Sequence, residues 1–380
     1  MELISISTRR DLRQFIELPY RLYKDDPNWV PPLRSEQWAQ FDPAKNPMLE
    51  HCETQFFLLR DGGRVIGRCS AFIDRLAVKH WEAPIGMFGS FECIEDQDDA
   101  LVLLGAARDW LAGQGMASMR GPWSFASQEW GLEIEGGELP PVILAPHNPV
   151  YYMDYFEAFG LKKAMDMVAY LADVDGGYVF PERFLTLTDR IAERFGVRVR
   201  PVDMSRLEAE VMTIVALSNR SISENWGYYP VTPDEARAMA RDLRQIVNPE
   251  ALLIAEDRNG EPIGFALSLP DVNQVLQGMN GRMLPFGWLK LLLGIKKITK
   301  YRMWALGVIP EYHGRAIDTL LYRATYEALI DRLGSMEINY VLENNHPMNN
   351  ALLKMGVKPI RRYRVYEMAI NNHPSDHKSH

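Results

Sequence analysis

The feature that most constrains this chain is an internal repeat. Asn28-Trp29 returns as Asn225-Trp226, 197 residues on, and Asp61-Gly62-Gly63-Arg64-Val65-Ile66-Gly67 returns at the same spacing as Arg258-Asn259-Gly260-Glu261-Pro262-Ile263-Gly264. Near the end of each half, the run 148–160 lines up with 344–356 at a spacing of 196. A constant offset of this size means two copies of one structural unit, each long enough to bury its own core. The 380 residues fit two domains of ordinary size. The joint is expected at Asp175-Gly176-Gly177, giving a first copy at 1–175, a second at 176–372 and a polar, disordered tail at 373–380.

Within each copy, hydrophobic periodicity gives the same order of elements. In the first, a strand at 3–7, a helix at 11–22, a hairpin of 56–60 with 64–73 and a strand at 87–94 are followed by a helix at 99–114 that stops at Gly115. The second opens with a strand at 198–201 and a helix at 207–223. There Thr232 with Glu235 three residues on forms a capping box that predicts a helix at 233–246, before a hairpin of 252–256 with 262–269.

The most informative stretch is 304–327. Its apolar run from Trp304 to Ile309 reads as a buried strand stopped by Pro310, and Ile317, Leu320, Leu321, Ala324 and Ala328 form one stripe of a helix. Between them lie His313-Gly314-Arg315-Ala316. A strand that feeds a small-residue turn at a helix N-terminus offers unpaired N–H groups and the positive end of the helix dipole to a phosphate or pyrophosphate. The matching place in the first copy, 92–99, carries five carboxylates and no such turn, so the first copy is not expected to bind an anion there.

Leu306-Gly307-Val308, Pro310-Glu311-Tyr312 and Gly314-Arg315 resemble the acyl-CoA-binding motif of the GNAT acyltransferase superfamily. The resemblance implies an α/β, layered α+β fold of two tandem GNAT-like domains, each a mixed, mostly antiparallel central sheet flanked by helices. It also implies direct transfer of an acyl group from acyl-CoA, acetyl-CoA or a longer chain, to an amine, with no metal. Backbone groups of Leu306, Gly307 and Val308 would pair with pantetheine. The loop His313, Gly314, Arg315, Ala316, Ile317 and Asp318 would hold the pyrophosphate, and Asn344 would stand near pantetheine or the acceptor.

By the same resemblance, Asn225, Trp226, Tyr228 and Tyr229 are candidates for an acceptor wall. The chain departs from the motif where the family loop has a second glycine and a last small residue, here Ala316 and Asp318, and an aspartate opposes a diphosphate. The family's tyrosine acid falls on Leu352, leaving Tyr322, Tyr326, Tyr363 and Tyr366 as stand-ins. For the base, Glu343 and His313 are the catalytic candidates, with His346 nearby.

A net charge of −8 argues against a nucleic-acid partner. The three cysteines, Cys52, Cys69 and Cys93, include no C-x-x-C pair, so neither disulfides nor zinc are expected and a cytoplasmic setting is. No secretory signal is seen, and no window reaches the roughly 20 apolar residues of a membrane span. The insertion 283–300, apolar with a tryptophan and trailing lysines, predicts peripheral contact with the inner membrane face, a tunnel for a long acyl chain, or a helix packed between the copies. The loop 120–146 reads either as functional or as docking the two copies.

The resemblance implies a small-molecule or lipid amine as the acceptor, and the oligomeric state stays open. Three alternatives stand beside simple N-acylation: a long-chain N-acyltransferase of lipid or sphingoid-base, ceramide-forming type, a non-catalytic binding protein of the same fold, and an aminoacyl-tRNA-dependent transferase.

Overall fold

A computed structural model describes residues 1–124, 130–244 and 246–370, so the tail at 373–380 lies outside the described residues. In the first half, β1 (Glu2–Ser5), α1 (Arg9–Leu22), α2 (Arg34–Gln40), β2 (Cys52–Asp61), β3 (Arg64–Asp74), α3 (Arg75–Trp81), β4 (Ile85–Cys93), α4 (Gln97–Gly113), β5 (Ser118–Gly121), β6 (Leu132–Glu135), α5 (Tyr152–Ala158) and β7 (Lys162–Asp173) follow in order. The second half holds α6 (Glu182–Phe195), β8 (Arg198–Pro201), α7 (Leu207–Ser221), α8 (Pro233–Leu243), β9 (Leu252–Glu256), β10 (Pro262–Pro270), α9 (Asn273–Leu276), α10 (Gly287–Ile295), β11 (Lys300–Val308), α11 (Ile317–Leu329), β12 (Ser335–Leu342), α12 (His346–Lys354) and β13 (Lys358–Ala369). Helix starts follow local chemistry. Thr8 caps α1 by accepting from the Asp11 N–H, and Thr232 with Glu235 closes the expected capping box of α8, which ends at Leu243 rather than 246.

The strands form one sheet in the order β1-β2-β3-β4-β5-β13-β7-β12-β11-β10-β9-β8, with β6 also paired to β13. The order is a palindrome of the two copies with the middle exchanged. β13, from the end of the second half, lies against β5, while β7, from the end of the first, lies against β12. The two meet as a long antiparallel pair at the centre. Alternate residues of β2 and β3 serve two layers: Leu58 and Phe72 pack with Phe15 and Ile16 of α1, and Phe57, Leu59 and Ala71 pack with Leu103 and Leu104 of α4.

Pairing is antiparallel except at β4–β5 and β11–β12. The β11–β12 ladder runs from Lys300–Ser335 to Met303–Ile338 and stops, so the ends of these strands separate. The β4–β5 ladder stops likewise at Met87–Arg120, but there the opening is filled. The Trp123 N–H donates to the Phe88 carbonyl at 2.9 Å, and a Cβ at Gly89 would stand 1.9 Å from the Trp123 oxygen. Gly89 is therefore the residue that lets Trp123 close the first half's gap.

Residues 130–146 do dock the halves, as one of the two readings of this loop expects. Arg361, 3% exposed, pairs with Glu133 at 2.5 Å and donates to the carbonyls of Gly136, Leu139 and Pro140. Across the interface Arg302 donates to the Ile143 carbonyl, and the Ile143 N–H donates to Asp271. His51 adds a clasp, its Nδ1 3.0 Å from Asp74 and its Nε2 3.2 Å from Glu235 of the second half. Burial pulls the His51 pKa down, but the bonds to Asp74, Cys52 and Glu235 outweigh it and push it up to about 12.

The insertion does not behave as a helix packed between the copies. Met283, Leu291 and Ile295 turn inward, whereas Leu284, Phe286, Trp288, Leu292 and Leu293 are at least half exposed. No helix among the described residues is long and apolar enough to cross a membrane.

Candidate active site

The strand-to-helix corner has the geometry an anion needs. β11 ends at Val308, a short turn at Pro310–Tyr312 follows, and Gly314 (φ 73°) and Ala316 (φ 56°) both take the left-handed conformation before α11 begins. No side chain caps α11 at Ala316; the Thr319 N–H donates to the Ala316 carbonyl at 3.1 Å, and the N–H groups before it point to a ligand or to water. His313 Nε2 lies 2.7 Å from the Val308 carbonyl. A carbonyl only accepts, so Nε2 carries the proton and Nδ1 is left as an acceptor. The Asp318 carboxyl lines the same space, and burial raises its pKa.

This corner opens into a cavity of about 1680 Å³. Its floor is the end of β11, Trp304 to Val308, which pairs with β10 on one side and has left β12 on the other. A Cβ at Gly307 would stand 2.2 Å from Ser221 Oγ and 2.8 Å from the Phe265 ring, so only glycine lets α7 approach the strand this closely. Asn225, Trp226, Tyr228 and Tyr229 line one side of the cavity. They also bind the first half: Trp81 Nε1 donates to the Tyr228 carbonyl at 2.8 Å, and the Trp81 and Tyr229 rings meet edge to face at 5.8 Å.

Leu306, Gly307, Val308, His313, Gly314, Ala316, Ile317, Asp318 and Asn344 line the cavity together. Two expected residues do not. The Arg315 guanidinium lies over the rings of Tyr312 at 4.6 Å and Phe195 at 5.2 Å, where stacking on aromatic faces holds it away from the corner. Glu343 is turned outward, pairing with Lys163 at 2.7 Å and accepting from the Asp166 N–H at 3.3 Å, because β7 runs beside β12 where an isolated copy would have its own last strand. His346 also stands outside the lining. Leu352 is fully buried in the core, so the family acid has no counterpart there. Of the four stand-in tyrosines only Tyr322 lines the cavity; its hydroxyl is buried without a hydrogen-bond partner, and burial raises its pKa.

Sequence reasoning missed the first half's contribution to this cavity. Arg68 and Glu92 line it together with His147, Asn148, Tyr152 and Trp29. Glu92 Oε2 accepts from the Tyr23 hydroxyl at 2.5 Å and lies 3.1 Å from that of Tyr152, while Arg68 donates to the Phe15 carbonyl at 2.8 Å. Burial raises the Glu92 pKa against the opposing pull of Arg68 and the two phenols. The signal was present in the repeat: Arg68 follows Gly67 as Phe265 follows Gly264. Elsewhere, the ligand-type atoms of His51, Cys52 and Asp74 lie within 4.8 Å of one another, but His51 and Asp74 are engaged in the clasp between the halves.

A splayed parallel strand pair above an uncapped helix corner in the second half, with a filled counterpart in the first and a central antiparallel pair between them, is the tandem GNAT acyltransferase fold that the sequence resemblance implied. No family model matches the chain. It is 36% identical to the bacterial ceramide synthase of Caulobacter vibrioides, over 97% of this chain and 98% of that protein, and 33% identical to Protein YghO of Escherichia coli, over 95% and 94%. The chain belongs to the family of these two proteins. Among solved structures, the tandem GNAT protein from the clavulanic acid biosynthesis pathway superposes with a TM-score of 0.58 and 15% identity, covering 99% of each chain, a likeness of fold.

Proposed function

We propose that this protein transfers a long-chain acyl group from acyl-CoA to the amine of an amphipathic, lipid-like acceptor, the ceramide-forming type of N-acylation. Residues 1–175 form a degenerate copy and 176–372 the copy that binds acyl-CoA. The observation that carries this reading is the cavity. At about 1680 Å³ it exceeds the roughly 300–1000 Å³ of ordinary small-molecule sites, and Leu276 and Leu291, beside the exposed apolar insertion, are part of its lining. The kinship with the Caulobacter ceramide synthase supports the same substrate class.

In this reading the backbone of Leu306 to Val308 pairs with pantetheine, and the N–H groups of 314–318 receive the diphosphate. The Asp318 carboxyl opposes it, and burial, which raises that group's pKa, lessens the opposition. The amine attacks the thioester carbonyl, the C–N bond forms and the C–S bond breaks. The amine proton passes to His313 Nδ1, and Tyr322 returns a proton to the departing thiolate. The exposed side chains of 284–293, with Lys296 and Lys297 at their end, rest on an anionic membrane surface from which both lipid substrates arrive.

Purified protein mixed with palmitoyl-CoA or acetyl-CoA and a sphingoid base tests this by mass spectrometry of the products. Amide from palmitoyl-CoA is expected. Amide from acetyl-CoA alone overturns the long-chain reading, and failure to bind either thioester overturns the donor.

A further inference from the structure

We infer that the first half's disabled cleft is the acceptor's headgroup site, where Arg68 and Glu92 hold the hydroxylated polar head of the amine while its nitrogen is presented to the thioester in the second half. The inference rests on the acyl transfer proposed above. β3 and β4 pair Arg68 with Glu92, and β10 and β11 pair Phe265 with Gly307 in the equivalent register, one residue beyond Gly67–Cys93 and Gly264–Val308. Where the second half has an apolar ring over a bare backbone, the first half therefore has a buried ion pair facing the same cavity.

The pair is built but not closed. Arg68 Nη2 and Glu92 Oε1 stand 3.7 Å apart, beyond hydrogen-bond reach, and Arg68 Nε is buried without a partner. Both tyrosine hydroxyls lie on Oε2 of Glu92, Tyr23 at 2.5 Å and Tyr152, shared with the Cys93 carbonyl, at 3.1 Å. Arg68 Nη2 and Glu92 Oε1 thus remain for a ligand, and burying them unmet is costly. The charges of the pair cancel, which selects the ligand. A phosphate meets the Glu92 carboxylate and a bare ammonium meets the Arg68 guanidinium, whereas a hydroxyl accepts from Arg68 and donates to Glu92 at once. The head so described is an amino alcohol with its hydroxyl neutral.

The test compares sphinganine with octadecylamine as acceptors for palmitoyl-CoA. Wild-type protein is expected to favour sphinganine in kcat/KM by about tenfold or more, the usual worth of a hydrogen bond to a charged group. E92Q, which keeps the shape and an oxygen for Tyr23, and R68Q are each expected to bring that ratio to within about twofold. Equal kcat/KM for the two amines in the wild-type protein overturns this inference alone, and needs no variant to fold. An unchanged preference in both folded variants overturns it as well. Transfer to neither amine overturns the proposed function instead.

Discussion

Glu92 and Gly307 hold the same place on equivalent strands, and what each carries decides what its half can hold. Gly307 leaves backbone bare beside Ser221 and Phe265, while Glu92 fills the matching space with a carboxylate set against Arg68.

Adding bulk at Gly307 should therefore block the donor. Gly307→Val is expected to raise the Kd for palmitoyl-CoA at least about tenfold by calorimetry, since its side chain meets Ser221 Oγ and the Phe265 ring. Ser221→Ala in the same chain should recover part of the loss, because it removes the nearer obstacle. No recovery would mean the glycine serves something other than this approach.

Tyr322→Phe separates chemistry from structure. The hydroxyl has no partner, so its removal should leave Tm unchanged or slightly raised. Loss of a proton donor should lower kcat by about a hundredfold with little change in donor Kd. A drop in Tm without a drop in kcat would assign the hydroxyl a structural role.

The exposed insertion should govern membrane attachment. Replacing Phe286, Trp288 and Leu292, each at least half exposed, with serine is expected to cut co-sedimentation with phosphatidylglycerol vesicles by tenfold or more. Raising the salt should weaken the wild-type protein's attachment, as the lysines at 296 and 297 require. Equal sedimentation of variant and wild type would remove the membrane from the account.

The clasp at His51 has a definite pH signature. Its folded pKa lies above the unfolded value of about 6.5, so its contribution is fully present below that value and fades as pH rises toward about 12. The stability gap between wild type and His51→Gln should be constant below pH ~6.5 and narrow above it, by on the order of 1 kcal/mol per pH unit. Denaturant titrations at three pH values between about 6 and 9 measure it. A gap that stays flat through this range means His51 is neutral in the folded protein.

Much of the architecture was legible because it is written locally. The hairpins around Asp61-Gly62-Gly63 and Arg258-Asn259-Gly260, the capping box at Thr232 and the strand, turn and helix at 304–327 each follow from the φ/ψ needs and periodicity of adjacent residues. The direction of a side chain was less legible. Arg315 and Glu343 fall where a phosphate ligand and a base were expected, yet one stacks on Tyr312 and Phe195 and the other pairs with Lys163 across a strand borrowed from the first half. Phe195 and Lys163 are both far away in sequence, so no spacing rule could point to them.

The chain by itself determined that there are two copies, that each is a layered sheet with helices, and that the corner after Val308 offers free N–H groups. These follow from repeat, pattern and backbone preference, which act over a few residues. Only the folded chain decided that β7 and β13 change places at the centre and that Arg68 and Glu92 face one cavity with Gly307. Strand edges pair, and charges become buried, according to what the other half brings near, and that proximity is a property of the whole packed molecule.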